Sequence, residues 1–206
     1  MKTSKSRILS QVFFKVVFLL LTIIIVNSTV RAADYVVDKG ASKVKWEGKK
    51  VTGKHTGTIS FESGILNVSK DKVTGGSFAI DMKTIVDEDL TDPEWNKKLI
   101  GHLSSDDFFS IAKFPQASMV VNKVTSVSDD DFHFQADLTI KGIKKPVEFN
   151  AKVRVNGDQL SAQGIITVNR TLYDIKYGSG SFFQGLGDKM ISDDFTLEFN
   201  VTATKK

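Results

Sequence analysis

Residues 147–155 read VEFNAKVRV, and residues 195–203 read FTLEFNVTA. In both stretches every second residue is apolar, and the residues between them are polar or charged. A period of two places all the apolar side chains on one face of a β-strand and the polar ones on the other. The two stretches therefore predict antiparallel strands with one face in a core and the other in water.

The same alternation continues through most of the chain after Tyr35. It returns in residues 132–140 and 160–168, and turn-forming segments separate the runs. Asn156-Gly157, between two alternating runs, is the strongest short-range signal for a β-hairpin. Counting the runs gives about eight strands at regular spacing, which favours an up-and-down meander closed into a barrel. The predicted fold class is all-β.

One segment departs from the strand pattern. Asp92 provides a helix N-cap, and Pro93 follows at the first helical position. Apolar residues then recur at helical spacing from Trp95 to Leu103. We therefore predict a short helical insertion over about residues 92–110, between two strands and at one mouth of the barrel.

The first 32 residues differ from the rest of the chain in charge and hydropathy. A basic start precedes an apolar run of 11 residues over 16–26, which is shorter than the ~20 residues that span a bilayer. We predict a signal peptide over residues 1–32, cleaved between Ala32 and Ala33, and a barrel domain over residues 33–206. The predicted location is periplasmic or secreted, and an uncleaved N-terminal anchor is the alternative.

The charge of the predicted mature domain argues against one class of partner. The 206-residue chain has 28 Lys and Arg and 24 Asp and Glu, a net charge of +4. Five of the basic residues and none of the acidic ones precede residue 33, so the mature domain has 23 basic and 24 acidic residues, a net charge of −1. A nucleic-acid interface needs a basic stripe. We therefore expect no nucleic-acid partner.

The residue types that build most catalytic and metal sites are missing or scattered. The chain has no cysteine, which excludes disulfides, thiolate sites and Fe–S clusters. His55, His102 and His133 show no pair at ligand spacing, so we predict no metal site. The adjacent Asp106 and Asp107 fit helix capping better than acid–base chemistry, and no Gly-x-Ser-x-Gly elbow occurs. We therefore predict no catalytic residues and no enzyme activity.

Several short motifs occur in a fixed order along the chain. The most specific is HLSSDDFF at residues 102–109, followed by FPQA at 114–117. GGSFAIDM at 75–82, LTIKGI at 138–143 and Asn169-Arg170 complete the series. Together these motifs resemble the YceI family of exported bacterial proteins with lipocalin-like barrels. The resemblance covers nearly all of residues 34–204, and it implies an eight-stranded antiparallel barrel.

The resemblance also implies a ligand. Family members of this kind hold a long isoprenoid lipid, such as a polyprenyl phosphate or a prenylated quinone, in the barrel interior, without turnover and without a further cofactor. A slim hydrocarbon suits a Phe-rich interior, because each buried CH₂ contributes about 0.8 kcal/mol. On this interpretation the lining residues are Phe61, Phe78, Ile80, Phe108, Phe109, Phe134, Leu138, Phe149, Ile166 and Phe183. The polar end near the head group then holds His102, Arg170 and Tyr173.

Several alternatives stay open. The second hypothesis is a barrel filled by side chains, in a stress-response or protein-interaction module that binds through its loops. Arg170 suits either a phosphate group or an ion pair with Asp174. TLYDIKY at 171–177 and SFFQGLGD at 181–188 depart from the family pattern, which leaves the head group unspecified. The oligomeric state is also open, with a homodimer among the alternatives, and the lipid ligand is compatible with transient membrane contact.

Overall fold

The computed structural model describes residues 32–206. Residues 1–31, which hold almost all of the predicted signal peptide, lie outside the described residues. Within residues 32–206 no helix has the length and hydropathy needed to cross a bilayer.

The described chain forms nine β-strands, one α-helix and two short 3₁₀ turns. The strands are β1 (Ala33–Val37), β2 (Lys43–Lys50), β3 (Gly53–Ser69), β4 (Lys72–Asp87), β5 (Gln116–Ser126), β6 (Asp131–Ile140), β7 (Ile143–Asn156), β8 (Gln159–Asn169) and β9 (Ile191–Lys205). Helix α1 (Pro93–Ser104) lies between β4 and β5, and the 3₁₀ turns cover Arg170–Tyr173 and Gly187–Lys189.

The strands close into an eight-stranded antiparallel barrel, as the sequence predicts. Each strand from β2 to β9 pairs with the next, and β9 pairs back with β2. The ninth strand does not widen the barrel. Tyr35 of β1 pairs with Leu66 of β3 and with Lys205 of β9, beyond the segments of those strands that pair with β2. β1 and β2 therefore share one position in the wall.

The predicted alternation is reproduced along the barrel strands. In β6 the residues Phe132, Phe134, Ala136, Leu138 and Ile140 are all buried, and the residues between them are partly exposed. The buried set faces the interior because successive side chains of a strand point to opposite faces. The hydrophobic core therefore lies inside the barrel.

One end of the barrel is closed by side chains. Tyr35 is 2% exposed and donates its hydroxyl to the carbonyl oxygen of Gly157 at 2.6 Å. Gly157 has a φ of 59°, in the left-handed region that glycine favours, and it forms the predicted turn between β7 and β8. Phe132 and Leu160 are buried at the same end. The opposite end carries α1 and the connection from β8 to β9, and we call it the helical end.

Helix α1 begins where the sequence predicts. The side chain of Asp92 accepts hydrogen bonds from the backbone N–H groups of Glu94 and Trp95, at 2.8 and 3.1 Å, and Pro93 opens the first turn. The helix ends at Ser104, and the rest of the predicted insertion forms turns. Leu103 is buried, whereas Trp95 is 61% exposed. The apolar side chains of the helix thus pack toward the barrel at its C-terminal part.

Candidate functional site

The barrel interior contains a cavity that begins above the closed end. The space open to the centre of a water-sized molecule is about 190 Å³, against roughly 10–15 Å³ for one buried water. All eight barrel strands contribute side chains to its wall. The interior is therefore not filled, which argues against the filled-barrel alternative.

Nine of the ten residues predicted to line the interior do so. They are Phe61, Phe78, Ile80, Phe108, Phe109, Phe134, Leu138, Phe149 and Ile166. Period-two alternation located the strand residues of this set, because a strand's apolar face must point into a closed barrel. Phe108 and Phe109 follow α1 and reach the wall from the helical end.

Aromatic contacts and small residues together shape the cavity. The rings of Phe134 and Phe149 stack with centroids 5.2 Å apart, and Phe199 meets Phe149 edge-on at 5.8 Å. Ala151 and Ala162 also line the wall and leave space between the larger side chains. The mixture of large and small residues thus produces a cavity rather than a tapered core.

A cluster of aromatic rings lies where the cavity reaches the helical end. His102 contacts Phe108 and Tyr177 edge-on, with centroid distances of 4.9 and 4.5 Å. Phe109 in turn contacts Phe195 of β9 at 6.4 Å. His102 is not part of the cavity wall. Its ring supports the aromatic side chains that are.

Arg170 lies in the cavity wall but is only 3% exposed. Its guanidinium donates to four backbone carbonyl oxygens, those of Ser192 (2.8 Å), Ile175 (2.8 Å), Tyr177 (2.9 Å) and Ile191 (3.0 Å). Burial lowers the pKa of Arg170, and the nearby Asp193 opposes that effect. The side chain therefore ties the connection between β8 and β9 to the end of β8.

The alternative ion pair between Arg170 and Asp174 does not form. Asp174 pairs instead with Lys176, at 2.8 Å between the Lys176 Nζ and the Asp174 Oδ1. The carboxylate nearest Arg170 is that of Asp193, with 3.6 Å between Nη2 and Oδ1. Sequence proximity suggested the wrong acid because the chain reverses direction between Arg170 and β9.

The structure also corrects the placement of Tyr173. It is 1% exposed, does not line the cavity, and its hydroxyl has no hydrogen-bond partner among the described residues. Burial raises the pKa of Tyr173 to about 12. Tyr177, four residues later, is the tyrosine that reaches the aromatic cluster at the cavity end.

Phe183 is the one predicted lining residue that the structure places elsewhere. It belongs to the connection from β8 to β9 and is 50% exposed, outside the cavity wall. A loop residue has no alternating pattern to fix its direction, so its apolar character alone was misleading. Val51, Phe182 and Met190 are also exposed and belong to connections at the helical end; we call these four residues the apolar rim. Val51 and Met190 are joined by a backbone hydrogen bond of 3.1 Å.

A separate cluster of ionisable side chains was not predicted from the sequence. His55, Asp87 and Asp89 lie together at the helical end, with ligand atoms within 4.8 Å of one another. Burial, together with the neighbouring Asp89, raises the pKa of Asp87. Burial alone would raise the pKa of Asp89, but hydrogen bonds from the Thr56 N–H and from His55 outweigh this effect, and the pKa of Asp89 is lowered. Spacing along the chain missed this cluster because pairing of β3 with β4 brings the residues together.

The sequence-family model of the YceI-like domain matches residues 35–203 of this chain. These residues include every strand from β2 to β8 and most of β9. The chain belongs to the YceI family. A UPF0312 protein of Shewanella denitrificans is 31% identical over 131 residues, or 62% of this chain and 66% of that protein. The chain thus spans slightly less than two thirds of that relative's length.

Two solved structures share the YceI fold. BcnA of Burkholderia cenocepacia superimposes with a TM-score of 0.65 at 22% identity, covering 82% of this chain and 99% of that one. A polyisoprenoid binding domain from Saccharophagus degradans superimposes with a TM-score of 0.57 at 16% identity, covering 84% and 98%. At these identities the likeness shows the common barrel.

Proposed function

We propose that this YceI-family protein binds a long isoprenoid lipid, a polyprenyl phosphate or a prenylated quinone, in the barrel interior and carries it without chemical change. The observation that carries the proposal is the cavity of about 190 Å³ whose wall is formed mainly by Phe, Ile, Leu, Val and Ala side chains. The Saccharophagus degradans domain of the same fold is described as polyisoprenoid binding, which supports the same ligand class here.

The wall suits hydrocarbon better than a polar substrate. Removing a CH₂ group from water contributes about 0.8 kcal/mol, so a chain of repeated isoprene units gains affinity along its whole length. The few polar side chains of the wall lie mainly at the helical end, at Lys49, Arg170, Ser192 and Asp194. A lipid tail directed toward the closed end would leave its head group among them.

Lys49 is our candidate for contact with an anionic head group. Lys49 belongs to the cavity wall, and its side chain is 62% exposed, with its Nζ 3.2 Å from Glu47 Oε1. The guanidinium of Arg170, by contrast, already donates to four backbone carbonyls. We therefore assign to Arg170 the role of holding the mouth in shape, and direct contact with a phosphate to Lys49.

The apolar rim provides a route for lipid exchange. Phe182 and Phe183 are each about half exposed, and Val51 and Met190 are the other two members of the rim. Apolar side chains of this kind insert into the interfacial region of a bilayer, and Lys49, Lys50 and Lys189 lie next to the rim in sequence. We propose transient membrane contact through the rim. We also propose that the N-terminal 32 residues, with their basic start and apolar run, direct the protein to the periplasm or outside the cell.

Solvent extraction of the purified protein, followed by mass spectrometry, tests the proposal. We expect a polyprenyl species in the extract, and uptake of added prenylated quinone by protein stripped of lipid. Protein that yields no lipid and takes up no quinone would contradict carriage and favour a role through loop contacts with another protein. Conversion of the added quinone into a new compound would contradict the non-enzymatic role.

A further inference from the structure

His55, Asp87 and Asp89 form a compact cluster apart from the lipid cavity, since none of the three belongs to its wall. His55 lies in β3, Asp87 is the last residue of β4, and Asp89 lies in the connection to α1. The Nδ1 atom of His55 is 3.0 Å from Asp89 Oδ2 and 4.0 Å from Asp87 Oδ2. Three different segments thus bring three potential metal-ligand atoms to one point.

In each carboxylate the Oδ1 atom accepts hydrogen bonds from backbone or side-chain amide groups. Asp87 Oδ1 accepts hydrogen bonds from the Leu90 N–H at 2.8 Å and from the Asn96 side-chain amide at 3.2 Å. Asp89 Oδ1 accepts from the Thr56 N–H at 2.6 Å. These contacts orient the carboxylates in the way that outer contacts orient metal ligands. The second oxygen of each carboxylate faces the imidazole.

The buried carboxylate of Asp87 is incompletely satisfied by protein groups. Its side chain is 0% exposed, and its Oδ2 atom has no hydrogen-bond partner among residues 32–206. The single hydrogen that Nδ1 of His55 can carry serves Asp89 at 3.0 Å. A buried carboxylate oxygen without a donor bears its desolvation cost uncompensated. A cation between the three side chains would compensate both acids at once.

We propose that His55 Nδ1, Asp87 Oδ2 and Asp89 Oδ2 bind a divalent transition-metal cation, with Zn²⁺ as the best chemical match. Ligands at about 2.0–2.2 Å from one cation lie roughly 3–4.4 Å from each other, which includes both measured distances to Nδ1. An imidazole among the ligands favours zinc-like metals over Ca²⁺ or Mg²⁺. The side chains of His55 and Asp89, 27% and 34% exposed, connect the site to solvent and leave room for water as a further ligand.

Calorimetric titration of chelator-treated, metal-free protein with Zn²⁺ tests the site, and Co²⁺ supplies a visible absorption band that reports nitrogen and oxygen coordination. We expect one equivalent of Zn²⁺ to bind. His55→Gln and Asp89→Asn should each weaken binding at least about tenfold. His133→Gln is the matched control, because His133 Nε2 lies 3.3 Å from Glu148 Oε2 but belongs to no three-ligand cluster among the described residues.

Circular dichroism of each variant distinguishes a lost ligand from a lost fold. Folded His55→Gln protein that binds Zn²⁺ as tightly as the unaltered protein would overturn the proposal, as would unaltered protein that binds no stoichiometric Zn²⁺. Quinone uptake by His55→Gln should equal that of the unaltered protein, so failure of the metal site and failure of lipid carriage are separate outcomes.

Discussion

The ring of Phe199 lies in the space that a side chain at position 164 would need. A Cβ on Gly164 would come within 2.8 Å of Phe199 Cζ and within 2.7 Å of the Asn150 carbonyl oxygen. Gly164 of β8 pairs directly with Phe199 of β9, so the glycine allows the ring to lie against the neighbouring strand and beside the cavity.

Gly164→Ala is therefore expected to lower the free energy of unfolding by about 1–3 kcal/mol, because the backbone carbonyl cannot move aside as a flexible side chain would. Gly101→Ala is the control: apart from the helix's own backbone, no atom of residues 32–206 lies within 4 Å of a Cβ there. Replacing that helical glycine should raise the free energy of unfolding by roughly 0.5–1 kcal/mol. Urea denaturation of both variants measures the difference, and equal effects of the two substitutions would count against the packing argument.

Ala162→Phe should occupy the cavity and exclude lipid. Ala162 lines the wall, and a phenyl ring there would fill space that a lipid tail needs. We expect quinone affinity to fall at least tenfold, or about 1.4 kcal/mol. Fluorescence titration measures it, with Ala41→Phe in the exposed turn before β2 as the control. Folded Ala162→Phe protein with undiminished affinity would place the lipid outside the barrel.

Arg170→Ala should destabilise the protein by at least about 3 kcal/mol, because several hydrogen bonds from a charged group are lost, each worth roughly 1.5–3 kcal/mol before water replaces some of them. Arg154 is the matched control, since it pairs with Asp130 and its side chain is 71% exposed. Arg154→Ala should cost much less than Arg170→Ala, because a solvent-exposed ion pair contributes little to stability. Thermal and urea denaturation compare the two. Arg170→Ala protein of unchanged stability would show that the carbonyl contacts are not structural.

Tyr173→Phe should leave lipid binding unchanged and raise stability by about 1 kcal/mol, because it removes a buried hydroxyl that has no hydrogen-bond partner within residues 32–206. The same residue predicts a loss of stability in alkali. Its pKa is about 12 in the folded state and about 10 when unfolded, so the unfolded chain releases its proton first and stability falls between those pH values. Tyr173→Phe should lack this decline in urea denaturation. If the variant no longer bound lipid, Tyr173 would instead be assigned to the head-group site.

Phe182→Ser combined with Phe183→Ser should slow quinone transfer from vesicles without weakening affinity for quinone in detergent. Both side chains belong to the apolar rim at the helical end. Val127→Ser is the control, because Val127 is 67% exposed in the turn at the closed end. Stopped-flow transfer from anionic vesicles measures the rate. Equal rates for the rim variant and the control would contradict membrane contact through the rim.

The regular part of this molecule follows from its sequence. A period of two located the barrel strands and seven of the lining residues on them, because burial in a closed sheet leaves each strand only one inward face. The Asp92 cap and Pro93 located α1, since capping depends on neighbouring residues alone.

Features that depend on contacts between residues far apart in the sequence could not be predicted from these local patterns. The direction of Phe183, the burial of Tyr173 and the carbonyl contacts of Arg170 all depend on the path of one irregular connection. The meeting of His55 with Asp87 depends on the register between β3 and β4, which spacing along a single chain does not contain. The sharing of one wall position by β1 and β2 could not be predicted for the same reason, because it depends on how both strands pair with β3 and β9.

The pairing of β1 with β9 has a consequence for how the protein can be attached to anything else. Tyr35 pairs with Lys205, and the Lys206 N–H donates to the Asp34 carbonyl oxygen at 2.9 Å, so β1 and the last residues of β9 lie side by side at the closed end. A tether, tag or fused domain joined beside either strand there would leave from the pole opposite the helical end. Immobilised protein would therefore present its opening outward, free to meet a bilayer.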